Sequence, residues 1–310
     1  MLGAFSHSFY AMGTVVAILV LSTCIRLTLK VKNPTKDYTE LRQRIQSWWV
    51  MVAILFGVLI VKGNCALVFF GFLSFLILKE FLSIVPIRQA DRRVVFWLYL
   101  AIPLQYYWVS SAWYGMFIIF IPVYVFLFIP VRMVLIGATD GFIKSAGILN
   151  WAVMLSVFSV SHIAYLLVLP EKNTAAGGVG LVLYLLFTTQ FNDVCQYTWG
   201  KMLGKHKIIP KVSPNKTWEG FIGGVSTVTI VSGFSAPFLT PLNMLEGFIA
   251  GFIIGTGGFF GDLVISSVKR DLKIKDTGNF IPGHGGLLDR MDSLLYTSPI
   301  FFHYLYYLHY

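Results

Sequence analysis

Charge is scarce in this chain: only 12% of its 310 residues are Asp, Glu, Lys or Arg, against roughly 25% in a soluble domain. With 56% hydrophobic residues and a mean hydropathy of +0.74, that shortage excludes an ordinary water-soluble enzyme and makes the bilayer the main solvent. Cysteine is nearly absent. Cys24, Cys65 and Cys195 lie in apolar stretches without metal-ligand spacing, so they are read as small buried hydrophobes rather than ligands. Internal repeats and low-complexity linkers are missing, which argues for one continuous membrane domain instead of two globules. The first apolar run, Ser8 to Thr28, has no basic region before it and no small-residue cleavage site after it. It is expected to remain as a span, not to be removed as a signal peptide.

What the chain does have is apolar runs along nearly its whole length. Spans are expected near 8–27, 47–62, 65–85, 94–110, 112–131, 146–169, 178–199, 218–239, 243–266 and 291–310, each close to the length that crosses a hydrocarbon core of about 30 Å. The expected fold class is all-α, a polytopic membrane helix bundle of nine to ten spans. Placing alternate loops on one side gathers Arg26 to Arg44, Lys79 to Arg93, Arg132 with Lys144, Lys201 to Lys216, and Lys269 to Arg290. Of the 24 basic residues only Lys62 and Lys172 fall on the other side. By the positive-inside rule the crowded side is cytoplasmic and both termini lie outside. The formal charge of +10 therefore reflects topology, and nucleic acid is not an expected partner.

Three polar segments share that face. Asp193 is followed by Gln196 and Tyr197, which helical spacing places beside it in a polar stripe that hydrocarbon would not tolerate alone. Next, Lys205-His206-Lys207 leads to Ser213-Pro214-Asn215-Lys216-Thr217-Trp218. Ser213 and Pro214 suit a helix N-cap and first helical position, which would aim free N–H groups and Lys216 at an anion. Gly220, Gly223 and Gly224 then allow close helix approach. The third segment runs from Gly261-Asp262 through Ser266, Lys269-Arg270 and Lys275-Asp276 to Pro282-Gly283-His284-Gly285-Gly286, Asp289-Arg290 and Asp292. Asp262, Ser266 and Lys269 fall on one helical face, so an acid inside the membrane boundary shares it with a cation. An isolated carboxylate there costs about 2.5–3.5 kcal/mol, and Mg²⁺, which takes one or two protein carboxylates plus water and phosphate oxygens, would offset it. The glycine-rich turn, flanked by Lys269, Arg270, Lys275 and Arg290, suits a polyphosphate. Glu80 beside Lys79 reads as an interfacial pair, His162 as a packed side chain, and Tyr304 to Tyr310 as an aromatic belt.

Ser266-x-Val-Lys-Arg, then Lys275-Asp276-x-Gly278, then Ile281-Pro282-x-His284-Gly285-Gly286-Leu-x-Asp289-Arg290-Met291-Asp292 closely resembles the signature of the phosphatidate cytidylyltransferases, the CDP-diacylglycerol synthases. Lys205 to Gly220 is similar to the family's second stretch. The resemblance implies a multi-span enzyme of a bacterial inner membrane, a possible homodimer, with N-terminal spans over 1–175, a C-terminal catalytic region over 176–310 and a polar catalytic cavity at the cytoplasmic side. It implies CTP and phosphatidate as substrates, CDP-diacylglycerol and pyrophosphate as products, and Mg²⁺, with a second monovalent cation such as K⁺, as cofactors. Carried onto matching positions, Asp262 and Asp289 would bind the metal. Lys269, Asp276 and His284 would complete the catalytic set, and Asp193, Ser213, Lys216, Thr217, Arg270, Lys275 and Arg290 would hold substrate or phosphate. One stretch departs: typical members read Asp-Thr-Gly-Ala-Tyr where this chain reads Asp193-Val194-Cys195-Gln196-Tyr197, which leaves room for a divergent paralogue with another lipid acceptor. The competing readings are a CTP-dependent lipid kinase, with attack at the γ-phosphorus, and an ion or solute transporter using Asp193 and Asp262 as its pathway.

Overall fold

The computed structural model describes residues 6–33, 37–61, 64–278 and 285–310. Ten helical rods occupy the described residues, one at each expected span: α1 (Ser6–Lys32), α2 (Thr39–Val61), α3 (Asn64–Ile84), α4 (Arg92–Ser110), α5 (Tyr114–Val134), α6 (Phe142–Leu166), α7 (Gly177–Leu203), α8 (Trp218–Leu239), α9 (Met244–Asp271) and α10 (Leu288–His309). Among the described residues there is no strand, and an isolated antiparallel bridge joins Lys207 and Thr217. Eight rods are long and apolar enough to cross a membrane. The two others, α4 and α10, are comparably long but open on Arg92-Arg93 and on Asp289, Arg290 and Asp292. Lys36 and Lys62, used above to assign sides, lie outside the described residues.

Several rods outrun the apolar stretches that define them. Nothing in Lys269-Arg270-Asp271 breaks a helix, so α9 continues through the charged residues that end the hydrophobic run. Within α5 the backbone widens to a π-helical turn at Phe120–Val125, around Pro122, which supplies no N–H to the regular ladder.

Helices α7, α8, α9 and α10 pack successively on one another, and α10 also lies against α3, α6 and α7. The tightest approach is between α7 and α8. A Cβ at Gly224 would come within 2.9 Å of the Gln196 backbone nitrogen, closer than carbon tolerates, so a glycine is required where the two rods meet, as the Gly220/Gly223/Gly224 pattern predicts. The other strongly buried layer is α3, α4 and α6, where Ile77, Leu78, Leu98 and Val157 are fully enclosed. His162 is packed there among Phe117, Phe158 and Phe302, its Nδ1 2.7 Å from the Phe158 carbonyl oxygen. By contrast α1 and α2 pair at the periphery with most of their surface turned outward. That placement corrects the reading of the cysteines: Cys195 is buried, but Cys24 on α1 and Cys65 at the start of α3 are exposed, because no other helix covers them.

Candidate active site

The C-terminal halves of α7 and α9 and the first turns of α10 each contribute one acid: Asp193, Asp262 and Asp292. They are close enough for their charges to act on one another, and Lys216 lies in the field of all three. Its Nζ is 2.6 Å from Asp262 Oδ2 and 3.4 Å from Gln196 Oε1. Ser266 donates to the other Asp262 oxygen at 3.2 Å, one helical turn away as its i+4 spacing dictates, and Ser293 donates to Asp193 at 3.3 Å. Gly261 makes this crossing possible: a Cβ there would stand 2.7 Å from the Asp292 carbonyl oxygen.

A second centre lies on the same two helices. Lys269 Nζ is 2.7 Å from Asp289 Oδ1, so Lys269 pairs with α10, while the expected face-mate Asp262 pairs with Lys216. The other Asp289 oxygen accepts from the Thr277 backbone N–H at 2.8 Å, the Thr277 hydroxyl at 3.0 Å and the Gly286 N–H at 3.2 Å. Asp289 thereby ties Thr277 to Gly286. Glu80 on α3 contacts the same stretch. It accepts from Leu287 N–H at 2.8 Å, from Leu288 N–H at 3.0 Å and from the Thr277 hydroxyl. Far from being a surface partner of Lys79, it closes the N-terminus of α10.

The basic segment before α8 is folded back on itself. Ile208 N–H bonds Lys216 O, and Trp218 N–H bonds His206 O, so the chain stays extended up to Thr217. Thr217, not Ser213, is therefore the N-cap, its hydroxyl accepting from Gly220 N–H at 3.2 Å. Ser213 sits in the preceding turn, with its N–H on Ile209 O. Glu219 accepts from the Lys205 and His206 N–H groups and contacts His206 Nδ1 at 2.6 Å, and Arg270 Nε donates to Val212 O at 3.1 Å. The Glu219 bonds tie the segment to the start of α8, and the Arg270 bond docks it on α9.

Of the sequence-predicted residues, the structure brings together Asp193, Lys216, Asp262 and, through its charge on Asp193, Arg290. Lys269 and Asp289 form the adjoining pair, and Asp276 lies beside Gly285. Lys275 is exposed. His284 lies outside the described residues, with Ile281, Pro282 and Gly283. The stripe expected around Asp193 divides: Gln196 is buried toward Lys216, whereas Tyr197 faces outward, its ring 5.8 Å from Lys201 Nζ. The reason is the packing of α7, whose Gln196 face is pressed against α8 at Gly224.

Among the described residues no three His, Cys, Asp or Glu side chains form a ready-made metal cage. Mg²⁺ asks for less, one or two carboxylates with water and phosphate oxygens completing its octahedron. The donors here are hard oxygens, and Lys216 already marks where positive charge is favoured among three acids. Asp262 carries one ion pair and one long hydrogen bond, while all four contacts of Asp289 are committed to Lys269 and the turn.

Comparison with known proteins is consistent with these motifs. Residues 42–308 match the model of the cytidylyltransferase family. The chain is 42% identical over 297 residues to the uncharacterized protein YnbB of Escherichia coli (strain K12), covering 96% of this chain and 98% of that one. It is 42% identical over 137 residues to the phosphatidate cytidylyltransferase of Mycobacterium leprae (strain TN), and 41% identical over 130 residues to that of Staphylococcus aureus (strain COL). Those two matches span 42% and 50% of the length of the respective enzymes.

Proposed function

Because this chain belongs to the cytidylyltransferase family, we propose that it transfers CMP from CTP to a lipid phosphate, phosphatidate, at the cytoplasmic face of a bacterial inner membrane. The observation that carries the reading is the convergence of Asp193, Asp262, Asp292 and Lys216 beside the Lys269–Asp289 pair, all within motif segments.

An oxygen of the lipid phosphate attacks the α-phosphorus of CTP. The bond from that phosphorus to the oxygen bridging to the β-phosphorus breaks, and pyrophosphate leaves with its electron pair. A phosphate monoester is already a nucleophile near neutral pH, so the protein's task is to align the two phosphates and offset charge. Lys216, Lys269 and Arg290 supply cationic charge, and Thr217 fixes the start of α8 behind Lys216. Asp289 and Glu80 hold Thr277, Gly286 and the start of α10 in place. Mg²⁺ bound to Asp262, with Asp193 and Asp292 as neighbouring oxygen donors, would neutralise phosphate oxygens. Asp289 would join it by exchanging one of its present hydrogen bonds.

Purified protein given CTP, phosphatidate and Mg²⁺ is expected to release pyrophosphate and form a CDP-lipid, to stop with a chelator, and to lose the activity in Asp262→Asn. Full activity in Asp262→Asn would remove the metal assignment. Activity with another lipid phosphate but not phosphatidate would keep the reaction and change the acceptor.

A further inference from the structure

Gln196 occupies the position where typical family members carry alanine. It is only 4% exposed and lies one helical turn after Asp193 on α7. Its Oε1 accepts from Lys216 Nζ at 3.4 Å. An ammonium has donors and no acceptor, so chemistry requires the carboxamide to turn its oxygen toward Lys216 and its NH₂ away. That Nε2 is buried and has no hydrogen-bond partner. An unpaired buried amide N–H is costly, and an apolar side chain of the same size would avoid the cost, so a ligand-facing role is favoured over a packing role. Packing nevertheless holds the side chain: Gly224 leaves no space for even a Cβ against the Gln196 backbone. A fixed N–H donor and a cation one contact away match one class of ligand, an anionic oxygen.

We infer that Gln196 and Lys216 together bind a phosphate oxygen, and that Gln196 is a specificity-determining residue by which this chain differs from the family pattern. The inference deepens the cytidylyltransferase reading and rests on it. The phosphate belongs either to CTP or to the lipid acceptor, and the two are separable by binding, without turnover.

The test compares wild-type protein, Gln196→Ala and Gln196→Leu in detergent micelles with Mg²⁺, using labelled CTP, short-chain phosphatidate and, as a probe lacking phosphate, the matching diacylglycerol. Leucine fills the same space without the unpaired amide and is expected to match or exceed the wild-type melting temperature, and alanine, which removes the carboxamide, is expected to stay folded. Both should bind one phosphate probe about tenfold more weakly, the effect of losing a charge-assisted hydrogen bond, with diacylglycerol binding unchanged. A loss confined to CTP assigns the oxygen to the nucleotide, and one confined to phosphatidate assigns it to the acceptor. Affinities for both within twofold of wild type, in a protein that still makes CDP-lipid, would overturn this inference alone. Wild-type protein that binds neither CTP nor phosphatidate would overturn the proposed function and this inference with it.

Discussion

Glu80 reaches residues 197 to 208 positions further along the chain and accepts three hydrogen bonds there, two of them at the start of α10. Its carboxylate has acceptors only, which suits three donors. A carboxamide would turn an N–H toward either Leu287 or Leu288. Glu80→Gln is therefore expected to lower kcat roughly tenfold, about 1.4 kcal/mol of transition-state stabilisation, with a smaller effect on KM for CTP. Glu80→Ala should add a drop in melting temperature. Steady-state kinetics with calorimetry would separate the two, and wild-type kcat in Glu80→Gln would show that the turn does not depend on this contact. Lys216→Met should be more severe, with activity reduced by about 10² or more, as for removal of a charge-stabilising donor from other active sites. It would also leave Asp262 without its ion-pair partner. Motif spacing made Asp193, Lys216, Asp262, Lys269 and Asp289 legible in the sequence, because each belongs to a local pattern. Glu80 was not, because its partners are local to one another and remote from it. The exchange of partners, Lys216 with Asp262 and Lys269 with Asp289, was equally hidden, since helical spacing ranks neighbours on one rod and says nothing about the next.

At the level of elements, glycine separates two kinds of helix contact. Gly224→Val forces methyl groups into the Gln196 backbone across the α7–α8 crossing and is expected to destabilise by about 1–3 kcal/mol. Gly57→Ala on α2 meets nothing within 4 Å. It should be neutral or stabilise by up to about 1 kcal/mol through helix propensity. Thermal unfolding of both variants checks the pair, and equal melting temperatures would contradict the close crossing. A second element-level contact joins two loops. Arg88 binds Asp91 through Nε at 2.6 Å and a second nitrogen at 2.9 Å, and its guanidinium also reaches the carbonyls of Ala138 and Asp140, while Ser145 donates to Asp91 at 2.6 Å. Burial pushes the Asp91 carboxyl upward, but the Arg88 and Ser145 hydrogen bonds outweigh it and leave it below its ordinary value. A lowered folded-state pKa contributes stability that is fully present above the unfolded value near 3.9 and is lost as pH falls through the folded one. Wild-type protein should thus lose stability more steeply than Asp91→Asn on acidification below about pH 4, and parallel melting curves for the two would refute the linkage. The spans themselves were legible from apolar runs. Their true ends were not, because charged residues such as Lys269 and Arg270 extend a helix without extending its hydrophobicity.

On the scale of the whole molecule, ten rods place nearly all chemistry-bearing side chains in the last four, and the earlier ones support them: α3 supplies Glu80, and α6 backs α10. Low charge content settled the class of protein before any motif was read, whereas the meeting of Asp193, Asp262 and Asp292 with Lys216 joins three helices and a loop, which no local pattern encodes. The central claim, transfer of a cytidylyl group and not of a phosphoryl group, is tested most directly by supplying Mg²⁺ and phosphatidate with CTP labelled either at the α- or at the γ-phosphorus. The account predicts label in the lipid product from α-labelled CTP only, with the γ-label recovered in pyrophosphate. Label entering lipid from γ-labelled CTP, with CDP released, would contradict it.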